Sequence, residues 1–332
     1  VLVDAFTATT GDVTLTIGNG TTIDSTNDRI IDAQNEVTIL GGADNVTMNA
    51  NVEIANAAVD DVNITLGNNA QLTNVNSNLL NANQNVIAVF GNNADLNAGV
   101  DVASTTAGGV NFTAGDDASL TSTNGSVFDS QTNVIANFGA RADLDGFAYG
   151  IYSAANSITL TTGNDSTIDA TNADALYAGA DVTILGGADN LHINSGAIAI
   201  RSINATNVTL GDDADLRSTN SDVINANQAI DVTFGDDLTA IGFSNGFVSN
   251  SNTFDGSFGD YVLEAGSYVI LATEDDPFFN EDGDEFYSGD DLPNSLNFDI
   301  SLSTSSDVIQ LFDADGNEVD IVSYDNDNGW PS

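Results

Sequence analysis

The sequence predicts an all-β chain: a parallel β-helix of about ten turns near 24 residues each, then an antiparallel β module. Three observations predict it. Glycine recurs at residues 18, 41, 67, 91, 115, 139, 163, 186, 211 and 235, at spacings of 23 to 26. Each interval holds three short stretches in which aliphatic residues or Thr alternate with polar ones. The register then stops near residue 254, where the composition changes. A fixed period of this length marks an architecture in which each unit buries its apolar side against the next.

The repeats come first. The opening unit reads VTLTIG, TTIDS, RIIDA, and a later one VNFTAG, SLTS, SVFDS. Val, Ile and Thr at period two suit a pleated strand, and Gly-Asn, Asn-Asn and Asp-Asp pairs suit the corners between strands. No Pro precedes Pro277, so no ladder donor is lost along the repeats. The apolar pieces are too short for a helical period. Three strands per turn give a parallel β-helix over residues 13–253, on the order of 45–50 Å long at about 4.8 Å per turn. Right-handed winding is expected, as for nearly all parallel crossovers.

An aliphatic residue follows each Gly by five positions: Ile23, Val46, Leu72, Leu96, Leu120, Leu144, Ile168, Leu191 and Leu216, until Ala240 breaks the column. Two more inward columns are expected. One runs through Leu15, Ile64, Phe112, Leu160 and Val208. The other joins Ile31, Leu80, Phe128, Tyr152, Leu176, Ile224 and Val248, with Ala33, Ala82, Ala154, Ala178 and Ala226 two residues on. Residues 1–12 are apolar enough to cap one end of the helix or to serve as a strand exchanged with a neighbour. Residues 13–45 recur at 158–190, so six turns were copied as a block, a mode of growth that suits a spacer or stalk.

Residues 254–332 differ. They hold all three prolines, the single Trp330 and five of the seven Glu. The pieces YVLEAGSYVILAT, LNFDISLS, DVIQLFDADG and EVDIVSYD read as strands, and DADGN at 313–317 as a hairpin turn in preference to a calcium loop. LEAGSYVILA (263–272), SLSTSSDVIQLFDADGNEVDIVSY (301–324) and NGWP (328–331) resemble the lamin tail domain. That resemblance covers about 75 residues, from Gly259 to Pro331, and implies an immunoglobulin-like β-sandwich of the kind found on secreted or surface proteins of bacteria. The family's Gly-Asp turn is replaced here by Ser305-Ser306-Asp307, and its final strand has no counterpart after Pro331, so the module is either truncated or completed by another chain.

Charge bounds the function. The chain carries 42 Asp and 7 Glu against four Arg and no Lys, a net charge of -45. That balance excludes nucleic acid, whose phosphates need Lys or Arg. It also makes the compact state depend on cations or salt that relieve self-repulsion. With 41% hydrophobic residues in a regular pattern, disorder is a poor reading. There is no cysteine, which removes disulfides and thiolate metal sites. No run of about 18 apolar residues exists, so membrane insertion is not expected. Val1 in place of Met suggests a processed chain.

Chemistry narrows further. Lyases and hydrolases do occur on β-helices, but lyases acting on acidic sugars need a cationic base or neutralising cation, and the Arg residues here are scattered. Counted from their glycines, His192 and Arg217 fall in one outward column after Asp169, read as incidental pairing on a solvated surface. Paired carboxylates are too abundant to be diagnostic, and no enzyme activity is expected. Asp212, Asp213, Asp236 and Asp237 share one corner on consecutive turns, with Asp116 and Asp117 at the same corner earlier. Asp282 and Asp284 lie in the acidic loop EDDPFFNEDGDE. Oxygen-only donors favour Ca²⁺, against a diffuse sodium atmosphere as the alternative, and no segment matches an EF-hand loop. Eight Asn-X-Ser/Thr sequons occur, mostly a product of composition.

The expectation is therefore a structural protein of the cell surface or extracellular matrix, a cation-stabilised homo-oligomer or polymer forming a fibre, sheath or layer. The alternative is an adhesin whose β-helical stalk carries a C-terminal module that binds a surface glycan or protein.

Overall fold

The computed structural model describes residues 4–42, 44–185, 187–236, 238–244 and 246–249, and beyond these the backbone of strands at 254–258, 270–272, 278–279, 285–287, 295–297, 306–312 and 318–325. The chain divides into two units, Val1–Gly259 and Asp260–Ser332.

The first unit is a parallel β-solenoid of three sheets with 11, 11 and 10 strands. Sheet A begins with Phe6–Ala8 and Ile31–Ala33, sheet B with Val13–Thr16 and Val37–Leu40, and sheet C with Thr22–Ser25 and Thr47–Ala50. Every strand pairs in parallel with its counterparts one turn before and one turn after. Rungs are numbered here by their sheet B strands, from rung 1 at Val13–Thr16 to rung 10 at Ile230–Phe234. An eleventh sheet B strand, Phe254–Phe258, continues the register past residue 253.

Alternation places one side of each strand inside. Leu15, Ile39, Ile64, Ala88, Phe112, Ala136, Leu160, Ile184, Val208 and Val232 stack in sheet B as the sequence predicts. Small and large residues alternate at mid-column. Phe112 fits between Ala88 and Ala136 and meets the rings of Phe90, Phe128 and Phe138 at 5.0 to 5.6 Å. Burying a side chain of this size contributes about 2–3 kcal/mol.

Two predicted columns need correction. In sheet C, Met48 and Ile193, not Val46 and Leu191, stand in line with Leu72 and Leu216. The corner GGADN places its left-handed residue four after the first Gly, where GNN-type corners place it two after. Two added residues preserve the inward phase of a period-two strand, so Val46 and Leu191 stay buried and the shift is invisible to a hydrophobic count. In sheet A, Ile151 and Phe247 occupy the places expected for Tyr152 and Val248, and Ser153 that expected for Ala154. The turn from Phe128 to Ile151 is one residue shorter than the modal turn, and a one-residue slip exchanges the faces. Tyr152 accordingly points outward and stacks on Tyr177 at 5.1 Å.

In the second unit, Ser306–Phe312 and Glu318–Asp325 form an antiparallel pair, as do Phe278–Phe279 and Glu285–Tyr287. Ile270–Ala272 pairs in parallel with Ser295–Asn297, unlike the antiparallel pairing expected there. The DADGN loop lies outside the described residues.

Candidate functional site: acidic corners and unlike faces

The corner between sheets B and C explains both the glycine period and much of the Asp and Asn content. A left-handed residue recurs there at Gly20, Asn45, Asn69, Asn93, Asp117, Arg141, Asp165, Asn190 and Asp213, with φ between 54° and 70°. Gly, Asn and Asp tolerate this conformation best. The residue before it caps the next turn. Asn68 N–H donates to Asp44 Oδ1 (2.7 Å), Asn92 N–H to Asn68 Oδ1 (2.8 Å) and Asp116 N–H to Asn92 Oδ1 (3.0 Å). Ala140 N–H donates to Asp116 Oδ1 (2.9 Å), Asp212 N–H to Asp189 Oδ1 (3.0 Å) and Asp236 N–H to Asp212 Oδ1 (2.9 Å). The column glycines lie against these oxygens: a Cβ at Gly115 or Gly235 would collide with Asn92 Oδ1 or Asp212 Oδ1.

The corner before sheet B repeats the device. Asn85 N–H donates to Asp61 Oδ1 (2.8 Å), Gly109 N–H to Asn85 Oδ1 (3.0 Å) and Ala205 N–H to Asp181 Oδ1 (3.1 Å). An amide oxygen and a carboxylate oxygen serve equally as acceptors, which is why Asn and Asp exchange along these columns.

The predicted cation ligands thus divide. Asp116, Asp212 and Asp236 occupy the capping column, and Asp117 and Asp213 the left-handed column beside it. Asp189 joins Asp212 and Asp236 as a third successive acid, missed in the sequence because GGADN offsets the count from its first Gly. Asp117 accepts two bonds from Arg141 (2.6 and 2.8 Å), which holds its carboxyl below the ordinary range. Asp237, Asp282 and Asp284 lie outside the described residues. Among the described residues no three His, Asp or Glu gather as a metal-holding group.

Compared with protein-family models, with curated proteins and with solved structures, the chain matches none. Its own surfaces must therefore carry the reading.

On the outward side of sheet C, His192 and Arg217 stand in neighbouring columns, His192 in register with Asp215 and Arg217 with Asn194. The sequence placed them in one column after Asp169. The longer GGADN corner displaces that count, and Asp169 instead accepts a bond from Asn194 (2.7 Å). Asp215 holds both cations, at 3.4 Å from His192 Nδ1 and 2.7 Å from Arg217 Nε, while His192 Nε2 meets Asn190 Oδ1 at 3.0 Å. Both imidazole nitrogens are thereby engaged. A shallow open depression of about 390 Å³ lies alongside, lined by Asp145, Asp169, Asn194, Ser195 and Thr219 among others.

Some acids are buried. Asp101 accepts from Ser126 N–H (2.8 Å), yet burial, with Asp129 nearby, pushes its carboxyl up to about 6. Asp174 is likewise raised by burial, against the opposing effect of Ile198 N–H and Arg201. Burial, then Asp169, raises Asp143 and Asp145.

The outward face of sheet B is unlike the rest. Its first column reads Thr14, Thr38, Asn63, Ile87, Asn111, Ile135, Thr159, Thr183, Asn207 and Asp231. Its second reads Thr16, Leu40, Thr65, Val89, Thr113, Asn137, Thr161, Leu185, Thr209 and Thr233. Twenty outward positions in a chain of charge -45 hold one charged residue, Asp231. Three sequons, at Asn63, Asn111 and Asn207, arise here because an outward Asn and an outward Thr flank one inward residue.

Proposed function

We propose that this chain is a structural protein of the cell surface or extracellular matrix, one that assembles with copies of itself into a fibre, sheath or layer. The observation that carries this reading is the repetition itself. Capping bonds, aliphatic columns and outward residues recur rung after rung, so the sequence is spent on length and on extended surfaces. In such an array each rung depends on its neighbours. The polar group at His192, Asp215 and Arg217 is satisfied internally and sits on an open sheet, which favours a structural role over catalysis. Calcium or other divalent cations enter as stabilisers, since stacked corner carboxylates about 4.8 Å apart repel by roughly 1 kcal/mol per pair even in water. The lamin tail-like segment supports a surface location and an immunoglobulin-like fold for residues 260–332.

Electron microscopy of the purified chain with calcium, and again with chelator, tests the proposal. Regular filaments or sheets that dissolve on chelation are expected. Isolated rods under both conditions, at high concentration, overturn it. The adhesin reading is favoured by the separate C-terminal unit and by the outward Tyr149, Tyr152 and Tyr177 group beside Arg201. Glycan or protein binding that disappears when residues 260–332 are removed would establish it.

A further inference from the structure

We infer that the neutral outward face of sheet B is a docking surface for a second copy of this chain, the two solenoids packing face to face and antiparallel about a two-fold axis through rung 5. The inference rests on the self-assembly reading and supplies its lateral contact.

Three observations select the occupant and the register. The first is charge. Corner acids such as Asp61 and Asp181 line one edge of the face, and Asp116 and Asp212 the other. Two copies of a chain this acidic approach with least repulsion across the surface from which acids are missing.

The second observation is the order of side chains along the face. Its exposed large aliphatics fall on rungs 2, 4, 6 and 8: Leu40, Ile87 with Val89, Ile135, and Leu185. The rungs between them show Thr and Asn. A two-fold axis along the strand direction through rung 5 sets rung 4 on rung 6 and rung 2 on rung 8, and keeps each column opposite itself. Ile87 then meets Ile135, Leu40 meets Leu185, and Asn111 meets its own copy on the axis. Rungs 1 to 9 overlap, and rung 10, which holds Asp231, falls outside. An isologous interface requires this self-complementarity. Parallel pairing, rung on rung, would set Leu40 against Thr38 and Leu185 against Thr183.

The third is area. Nine rungs about 4.8 Å apart, four residues wide at about 3.3 Å each, cover about 600 Å² per copy. The total of about 1,200 Å² lies at the lower edge of specific interfaces, so the pair forms reversibly. Because acids line both edges, pairing strengthens as salt or divalent cations rise, opposite to an interface held by ion pairs.

The chain has no cysteine, so Asn111→Cys or Asn207→Cys in the full chain is each the sole thiol. Both asparagines are exposed on the first column. In the proposed pair the two copies of residue 111 face each other, while those of residue 207, four rungs from the axis, lie about 38 Å apart. A short bis-maleimide should convert Asn111→Cys to covalent dimer at least tenfold more than Asn207→Cys. Equal cross-linking, or none at either position, overturns the inference. Filaments seen by microscopy without selective cross-linking at 111 would sink this contact and leave self-assembly standing. Selective cross-linking without larger assemblies would support the contact and sink the fibre or layer.

Discussion

Sheets B and C are built on the same ten rungs, with the same alternation and the same kind of inward column, yet their outward sides differ in kind. Twenty outward positions of sheet C carry six Asp, one Arg and one His, whereas the twenty of sheet B carry one Asp. A β-strand leaves its outward residues free of the fold's demands, so this difference comes from what each face meets. Acidity in this protein is placed position by position. Corner acids and amides hold backbone donors, sheet C presents charge to solvent, and sheet B withholds it.

The comparison predicts equality inside. Phe112→Ala in sheet B and Leu120→Ala in sheet C both remove fully buried side chains. Each should cost about 3–5 kcal/mol by urea unfolding. A loss under about 1 kcal/mol at either would show that one of the two columns is loosely packed.

The buried acid gives the next effect. Asp101 titrates near 6 in the fold against an ordinary 3.8. A raised folded value means that the ionised form is the disfavoured one, so stability falls as pH rises from about 4 through 6 and stays low above. The penalty is about 3 kcal/mol at neutral pH. Asp101→Asn keeps the acceptor for Ser126 N–H and should stabilise by up to that amount at pH 8 and by almost nothing at pH 4. Melting curves at the two pH values check it; a pH-independent difference would contradict the assignment.

Corner caps come third. Asp212→Ala leaves Asp236 N–H without its acceptor and should cost about 1 kcal/mol, while Asp212→Asn should stay within about 0.5. Equal losses would mean that charge, and not acceptance, is what the corner needs. Smallest is the open face of sheet C, where Asp145→Asn, beside Asp169, should gain a few tenths of a kcal/mol that vanish in molar salt.

The solenoid was legible because its period is carried by residues with a physical obligation. Gly115 and Gly235 recur because a neighbouring oxygen fills the place of a side chain. Leu72, Leu96 and Leu120 recur because they stack. The misread positions share one cause. Val46, Leu191, Tyr152 and His192 all follow corners of unusual length, and a count from glycine cannot tell which residues of a corner are extra. Of the site, the acidic corners could be located in the sequence, but their bonds to backbone could not, since Asp and Asn look alike there. The neutral face of sheet B was hidden for another reason: single outward residues seem unremarkable until the register lays them in two columns.

The most direct test of the central claim is sedimentation equilibrium of the full chain at low and high salt, beside Ile135→Asp on sheet B and Thr121→Asp on sheet C. The account predicts that the wild-type chain and Thr121→Asp dimerise as salt rises. Ile135→Asp, which places a carboxylate in the contact twice, should weaken the dimer at least about 100-fold. A wild-type chain that stays monomeric throughout, or an Ile135→Asp variant that associates as the wild type does, would contradict it.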